Sequence, residues 1–286
     1  MKNILLTGSN GFIGTYFKIN YNTKYKINTF SFRNDDFDNL KLNNIDTVIH
    51  LSALVHQMGG ASEDEYERVN VTQTLDLAIK SKESGVKHFI FMSSIKVYGE
   101  ETDIPYNEQS ICLPQDNYGK SKLKAEKELK KLEDNKFIIS IIRTPIVYGY
   151  GVKANIKSLV SLIRKVPILP FRDIENKRSM IYIGNLCYLI DEIIIQKKRG
   201  IFLASDDISN STKELIYIIA KVLDKKIYLL KIPFFKETLR ILKPSFYKRL
   251  YCSLEIDNKI TKERLNLHNP YSFLDGIELM INDKNQ

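Results

Sequence analysis

Tyr118 and Lys122 stand four residues apart in Asn117-Tyr118-Gly119-Lys120-Ser121-Lys122. On a helix that spacing puts the phenol and the ammonium on one face. A fixed positive charge there favours the phenolate and lowers the tyrosine pKa. An unperturbed phenol titrates near ~10, so without such help it is a poor proton acceptor at neutral pH. The same spacing recurs at Tyr217 and Lys221, inside Leu215-Ile216-Tyr217-Ile218-Ile219-Ala220, where a tyrosine on a core face is the plainer reading. Tyr118 differs by its company. Its helix follows a polar loop and comes after a strand, His88-Phe-Ile-Phe-Met92, that ends in Ser93-Ser94.

The elements that would position this pair begin at the N-terminus. Lys2-Asn-Ile-Leu-Leu-Thr7 reads as a buried strand, followed at once by Gly8-x-x-Gly11-x-x-Gly14 and a helix start, Phe12-Ile13-Gly14. A helix N-terminus offers unpaired N–H groups and a partial positive charge, so a pyrophosphate can sit there if side chains stay clear. Gly8 allows the tight turn, Gly11 the approach of phosphate and Gly14 close packing of helix on strand, which is the dinucleotide-binding pattern. The second strand is expected over 27–32. Where an acidic residue would meet the adenosine ribose, the chain holds Ser31 and then Arg33, both able to bind a 2′-phosphate, so NADPH is favoured over NADH. Asp36, close behind, is placed against the adenine.

Alternating strands (2–7, 27–32, 46–51, 87–93, 137–143) and helices (12–20, 66–83, 117–132) imply an α/β fold, a Rossmann-like doubly wound parallel sheet with right-handed crossovers. Residues 1–152 form the nucleotide-binding domain, with a strand near 200–204 returning to its sheet; 153–286 mainly build a smaller substrate-binding lobe.

The chain resembles the extended short-chain dehydrogenase/reductases, the nucleotide-sugar epimerase, dehydratase and reductase group. The resemblance runs nearly the whole length, through Thr7 to Gly14, His50-Leu-Ser-Ala53, Asn70-Val-Thr-Gln-Thr74, Ser93-Ser-Ile-Lys-Val-Tyr-Gly99, Tyr118 to Lys122, and Arg143-Thr-Pro-Ile-Val-Tyr-Gly149. It implies that Ser94 hydrogen-bonds the reacting oxygen of a sugar, that Tyr118 exchanges its proton, and that Lys122 also holds the nicotinamide ribose. Asn70 is then a structural residue near the catalytic centre. Asn10, Phe12, Ile13, Leu51, Ser52, Ala53 and Pro145 join the glycines, Tyr118 and Lys122 around the cofactor. Lys96, Asn155, Arg178 and Arg249 fall on the sugar-nucleotide side, the arginines on its diphosphate, which their planar geometry suits. Two positions depart from the pattern. Ser52-Ala53 replaces the usual alanine pair, and Asn185 stands where an aspartate is common.

The formal charge of +9 is spread over lysines with acidic residues among them, and no nucleic-acid motif accompanies it; an anionic sugar nucleotide and a phosphate-rich cofactor account for it. Cys112, Cys187 and Cys252 are odd in number and far apart, and the four histidines are scattered, so neither a disulfide framework nor a metal site is expected. His56, just past the third strand, is the one histidine near enough to the cleft to test as a substrate contact. No apolar run reaches the ~20 residues of a membrane span, and the first residues read as a strand rather than a signal peptide, so a cytoplasmic enzyme is expected. The resemblance further implies a homodimer through the helices near 66–83 and 117–132.

Three readings follow. The first is reduction of a UDP-2-acetamido-2,6-dideoxy-4-hexulose in bacterial surface polysaccharide biosynthesis. The second is a UDP-glucose or UDP-N-acetylglucosamine 4-epimerase. The third is a silent dinucleotide-binding regulator, against which intact Ser94, Tyr118 and Lys122 argue. Dehydration is disfavoured, because Ser94-Ile95-Lys96 lacks the Asp-Glu pair of dehydratases.

Overall fold

The computed structural model describes residues 1–55, 61–152 and 155–282. Its strands are β1 (Lys2–Thr7), β2 (Tyr25–Phe30), β3 (Thr47–His50), β4 (His88–Ser94), β5 (Ile138–Thr144), β6 (Ile146–Tyr148), β7 (Ile168–Leu169), β8 (Met180–Tyr182), β9 (Gly200–Leu203) and β10 (Tyr228–Leu229). The helices are α1 (Phe12–Tyr21), α2 (Glu63–Tyr66), α3 (Gln73–Glu83), α4 (Asn117–Leu132), α5 (Asn155–Lys165), α6 (Ile183–Gln196), α7 (Thr212–Val222), α8 (Phe235–Leu242), α9 (Pro244–Tyr251), α10 (Lys259–Leu265) and α11 (Phe273–Asn282).

Six strands make one sheet in the order β2-β1-β3-β4-β5-β9, every pairing parallel. A parallel sheet is covered on both faces, so its strands are apolar throughout rather than alternating. Successive side chains still go to opposite faces. Leu5, Val48, Phe89, Phe91, Ile139 and Ile141 pack with Leu77 of α3 and with Ala125 and Leu129 of α4. Ile4, Leu6, Ile49, Ile90 and Ile142 pack on the other side with Phe17 of α1 and Leu186, Leu189 and Ile190 of α6. Two short parallel ribbons, β6 with β8 and β7 with β10, stand outside the sheet.

Three local expectations shift. Strand β2 starts and stops two residues earlier than 27–32. Tyr25 is buried, stacked near Phe17, and its hydroxyl donates to Asp191 Oδ1 at 2.6 Å, which fixes the start. Beyond Phe30 the N–H groups of Asn34 and Asp35 both donate to the Ser31 carbonyl, and the resulting turn ends the strand. The helix expected over 66–83 begins at Glu63, capped by Ser62, and widens into a π-helical stretch over Glu67–Thr72 before α3. Tyr217 lies on the exposed side of α7 rather than on its core face, because Thr212, Leu215, Ile216, Ile219 and Ala220 make up the buried stripe. Among the described residues no helix is long and apolar enough to cross a membrane, and no cluster of three or more His, Cys, Asp or Glu could hold a metal ion.

Candidate active site

The glycine loop joins β1 to α1 at the carboxyl end of the sheet. Gly8 has φ of 68°, and a Cβ there would lie 2.9 Å from the Leu51 carbonyl carbon and from the Ser52 nitrogen. The turn therefore packs directly on the Leu51-Ser52-Ala53 segment that leaves β3. At Gly14 a Cβ would come within 2.3 Å of the Gly8 carbonyl oxygen, so only glycine lets α1 sit this close to the loop. Gly11 is the N-cap of α1 and brings no side chain to the helix start, leaving the first N–H groups, around Phe12 and Ile13, uncapped by side chains. Asn10 is exposed on the loop. This backbone cradle fits a dinucleotide pyrophosphate, which the Gly8 to Gly14 loop would hold against the helix dipole.

Ser31 follows β2 directly, and Phe30 pairs with Thr7, so Ser31 reaches the same sheet edge as Gly8. Arg33 is exposed. Two nearby carboxylates are committed to the turn. Asp35 accepts from Ser31 N at 2.8 Å, while Asp36 accepts from Asp38 N at 2.9 Å and from the Asn39 amide at 2.6 Å.

Ser94 ends β4 and Tyr118 opens α4. The Ser94 hydroxyl oxygen accepts from Lys96 N at 3.3 Å and caps the turn Ile95–Val97, which presents the end of β4 toward α4. Helix α4 starts on Asp116, whose Oδ1 accepts from Gly119 N at 2.6 Å. A Cβ on Gly119 would lie 2.6 Å from the Lys96 carbonyl oxygen and 3.0 Å from Pro114 Cβ, so this glycine sets how closely α4 approaches the turn. Gly119→Ala is expected to push the two apart and lower turnover by up to ~10²-fold, the scale of a 1 Å misplacement. Strain should add a stability loss of ~1–3 kcal/mol. Paired kcat and unfolding measurements check it, and unchanged turnover would show that this contact does not set the site.

The side chains of Ser94 and Tyr118 face each other closely enough to interact. Burial pushes the phenol up to about 12, with the Ser94 hydroxyl pulling it back down. The ammonium does not produce the depression that the i, i+4 spacing suggests. Lys122 is 2% exposed, its Nζ donates to the Met92 carbonyl at 2.9 Å, and it sits 4.5 Å from the centre of the Phe91 ring. Burial lowers its pKa to about 7, opposed by the Glu126 carboxylate. The charge that was to polarise Tyr118 is thus turned toward the strand, and burial loosens its hold on the proton.

Behind the pair lies a buried polar cluster. Asn70, on the π-helical stretch, accepts from Leu54 N at 2.8 Å and donates to both the Leu54 carbonyl and Ser121 Oγ at 3.0 Å. It ties the loop after β3 to the helix carrying Tyr118. Thr7 and Thr74 flank His50 at 2.8 and 3.0 Å, and burial drops that imidazole to about 3, so it stays neutral. Glu126 accepts from Ser93 Oγ and from two nitrogens of Arg143, all of them buried. The sequence assigns no role to Glu126 or, beyond its place in a matching stretch, to Arg143. The available signals were an acid one turn beyond Lys122 on the face of Tyr118, and a lone arginine in the run Ile138-Ile-Ser-Ile-Ile142 that continues to Thr144.

Beyond β4 and α4 a cavity of about 880 Å³ is lined by Lys96, Asp116, Asn155, Arg178 and Arg249 among others. All four residues expected only on the sugar-nucleotide side therefore meet in one cavity. Ile146, next to Pro145, lines it too, and Ser94 lies two residues from Lys96. Arg178 is held by backbone bonds to Asn210 and donates from Nη1 to the Cys252 carbonyl at 3.0 Å. Burial lowers its pKa, which the Glu100 carboxylate opposes. Lys96 is already paired, 2.6 Å from both Glu100 and Asp116. His56 lies outside the described residues. Asn185 instead serves packing. It donates to Asp206 Oδ1 at 2.7 Å and to the Tyr271 carbonyl at 2.9 Å.

Residues 4–202 match the family model described as the NAD dependent epimerase/dehydratase family. The chain belongs to that family, and NAD(P) is its cofactor. It is 37% identical to a UDP-glucose 4-epimerase of Vibrio cholerae, over 97% of this chain and 94% of that one. It is 27% identical to an N-acetyl-alpha-D-glucosaminyl-diphospho-ditrans,octacis-undecaprenol 4-epimerase of Escherichia coli O157:H7, over 81% and 76%. The fold superimposes on the UDP-N-acetylglucosamine 4-epimerase of Bacillus cereus with a TM-score of 0.79 at 22% identity, covering 97% of each chain.

Proposed function

We propose that this protein is a UDP-hexose 4-epimerase in which Ser94, Tyr118 and Lys122 handle the proton at C4. The observation that carries the reading is the end-to-end likeness to the Vibrio cholerae UDP-glucose 4-epimerase, combined with a serine–tyrosine pair beside an arginine-bearing cavity. The nicotinamide dinucleotide, which the Gly8 to Gly14 loop and Lys122 would hold, would supply reversible hydride acceptance at C4. Tyr118 accepts the C4 hydroxyl proton as the C4–O bond becomes a carbonyl, then gives a proton back as the hydride returns, so no net oxidant or reductant is consumed. Ser94 holds the reacting oxygen. Arg178 and Arg249 hold the diphosphate by charge-assisted hydrogen bonds. Starting from the alcohol requires the phenolate, and the positive charge of an oxidised nicotinamide held beside Tyr118 would lower the phenol pKa.

The test is to incubate the protein with UDP-glucose and UDP-N-acetylglucosamine without added reductant and to look for the C4 epimers. Turnover to an epimer supports the reading. Its absence, with stoichiometric NADPH oxidation on the UDP-2-acetamido-2,6-dideoxy-4-hexulose, overturns it in favour of 4-keto reduction.

That second reading has its own support in the turn after β2, where Asp35 and Asp36 are engaged locally and Ser31 and Arg33 stand at the sheet edge. Arg33→Ala is expected to weaken NADPH binding more than NADH binding. A charge-assisted phosphate contact is worth ~1.5–3 kcal/mol, more than about tenfold in affinity. Titration of both cofactors decides it, and an equal loss for both would remove Arg33 from the 2′-phosphate.

A further inference from the structure

The helical pair α8–α9 contains no buried residue, unlike any other helix among the described residues. Phe235 and Leu239 turn partly inward, Phe235 meeting Phe171, and fasten α8 to the lobe. The outer side is apolar: Phe234 is 78% exposed, Ile241 78% and Leu242 72%, with Ile232 also exposed at the entry to α8. These residues mark both ends of a helix about 12 Å long. A soluble surface gains nothing from such a stripe, because each of these side chains is driven out of water.

The local sequence is strongly basic, although Lys231 pairs with Asp173 and Lys248 with Glu101, and Lys248 and Arg249 face the cavity. Residues 225–251 carry Lys225, Lys226, Lys231, Lys236, Arg240, Lys243, Lys248 and Arg249 against one acidic residue, Glu237. Most of the chain's +9 surplus is therefore gathered here rather than dispersed. A cationic rim around exposed Phe, Ile and Leu is what lets a helix lie in the headgroup region of an anionic bilayer. A homodimer built on α3 and α4, as the resemblance implies, would leave this face open. The same helical pair also reaches the cavity, since Pro244, Ser245, Phe246, Lys248 and Arg249 line it.

We propose that α8–α9 docks the enzyme on an anionic lipid bilayer, apolar face down, with the cavity entrance held next to the membrane surface. Among the described residues no helix is long and apolar enough to span a bilayer, so the attachment proposed is peripheral and reversible. The inference does not depend on whether the reaction is epimerisation or reduction.

Flotation with vesicles tests it. The full-length protein is expected to float with vesicles of equal parts phosphatidylglycerol and phosphatidylcholine, to stay behind with phosphatidylcholine alone, and to be released by salt. Lys236→Glu with Arg240→Glu should weaken binding at least about tenfold, given roughly fivefold per basic residue at such a surface. Phe234→Ser with Ile241→Ser and Leu242→Ser should weaken it comparably. All five positions are exposed and outside the cavity lining, and unchanged thermal midpoints would show that the variants fold. Failure of the wild type to bind anionic vesicles, or wild-type binding by the charge-reversed variant, overturns the proposal. So does a wild-type dimer in light scattering that the serine variant splits, because the face would then belong to a second copy of the chain.

Discussion

Tyr118→Phe is expected to lower turnover by ~10²–10⁴-fold, the usual range for removing a general acid–base group, while cofactor affinity stays unchanged. The ring keeps its place in the variant. It is half-buried, tilted against Tyr66 with centroids 6.2 Å apart, and anchored by a helix whose start is fixed by Asp116. Only the exchangeable proton goes. The loss should fall on kcat rather than KM, since the phenol acts on the proton at C4 and not on the diphosphate. Steady-state kinetics with UDP-glucose, beside fluorescence titration of the dinucleotide, separates the two. Wild-type turnover in Tyr118→Phe would mean that another group moves the proton, and Ser94, its neighbour, would be the next to replace. The pH profile carries a further expectation. Burial pushes the phenol up to about 12. If ligand binding brings a positive charge to it, the acid limb of kcat should lie well below that value, and a limb near 12 would rule out this route of activation.

The difference between what could be read in the sequence and what needed coordinates follows the range of the interactions. The glycine cradle was legible because its determinants are local: Gly8 and Gly14 meet one another across six residues, and strand, turn and helix start adjoin in the chain. The parallel sheet was legible because β4 and β5 are apolar runs bounded by turns, with helical periodicity between them. The i, i+4 relation of Tyr118 and Lys122 was legible as a face of a helix, but where the ammonium points was not. That depends on the Met92 carbonyl and the Phe91 ring, which lie on β4, far away in the chain. The same limit applies to Lys96, whose two carboxylate partners come from either side of a long loop. It applies again to the charge on α8–α9. A lysine count along the chain cannot tell a solvated face from a basic rim, because the distinction rests on which apolar side chains are left uncovered.

Glu126→Ala is expected to destabilise the protein by ~3–5 kcal/mol, the cost of leaving a buried charge without its partner. Arg143 is 3% exposed and its guanidinium is bonded to both oxygens of Glu126, at 3.0 Å from Nε and 2.5 Å from Nη2. Ser93 Oγ uses the same carboxylate at 2.5 Å. Truncation strands the arginine and the hydroxyl together, directly beneath the strand end that carries Ser94. Denaturant unfolding measures the loss. The companion variant, Glu126→Leu with Arg143→Met, removes both charges and should recover most of it, because an apolar pair of similar volume has no charge to desolvate. Equal destabilisation in the two variants would show that packing, not charge pairing, is what Glu126 provides. The substitution should also reach the site. Glu126 is the group that opposes the burial-driven lowering of the Lys122 pKa. Without it that pKa falls further, the ammonium is lost at lower pH, and the alkaline side of the pH–rate profile should move downward. A profile that stays put in a folded Glu126→Ala protein would separate Lys122 from the proton transfer at Tyr118.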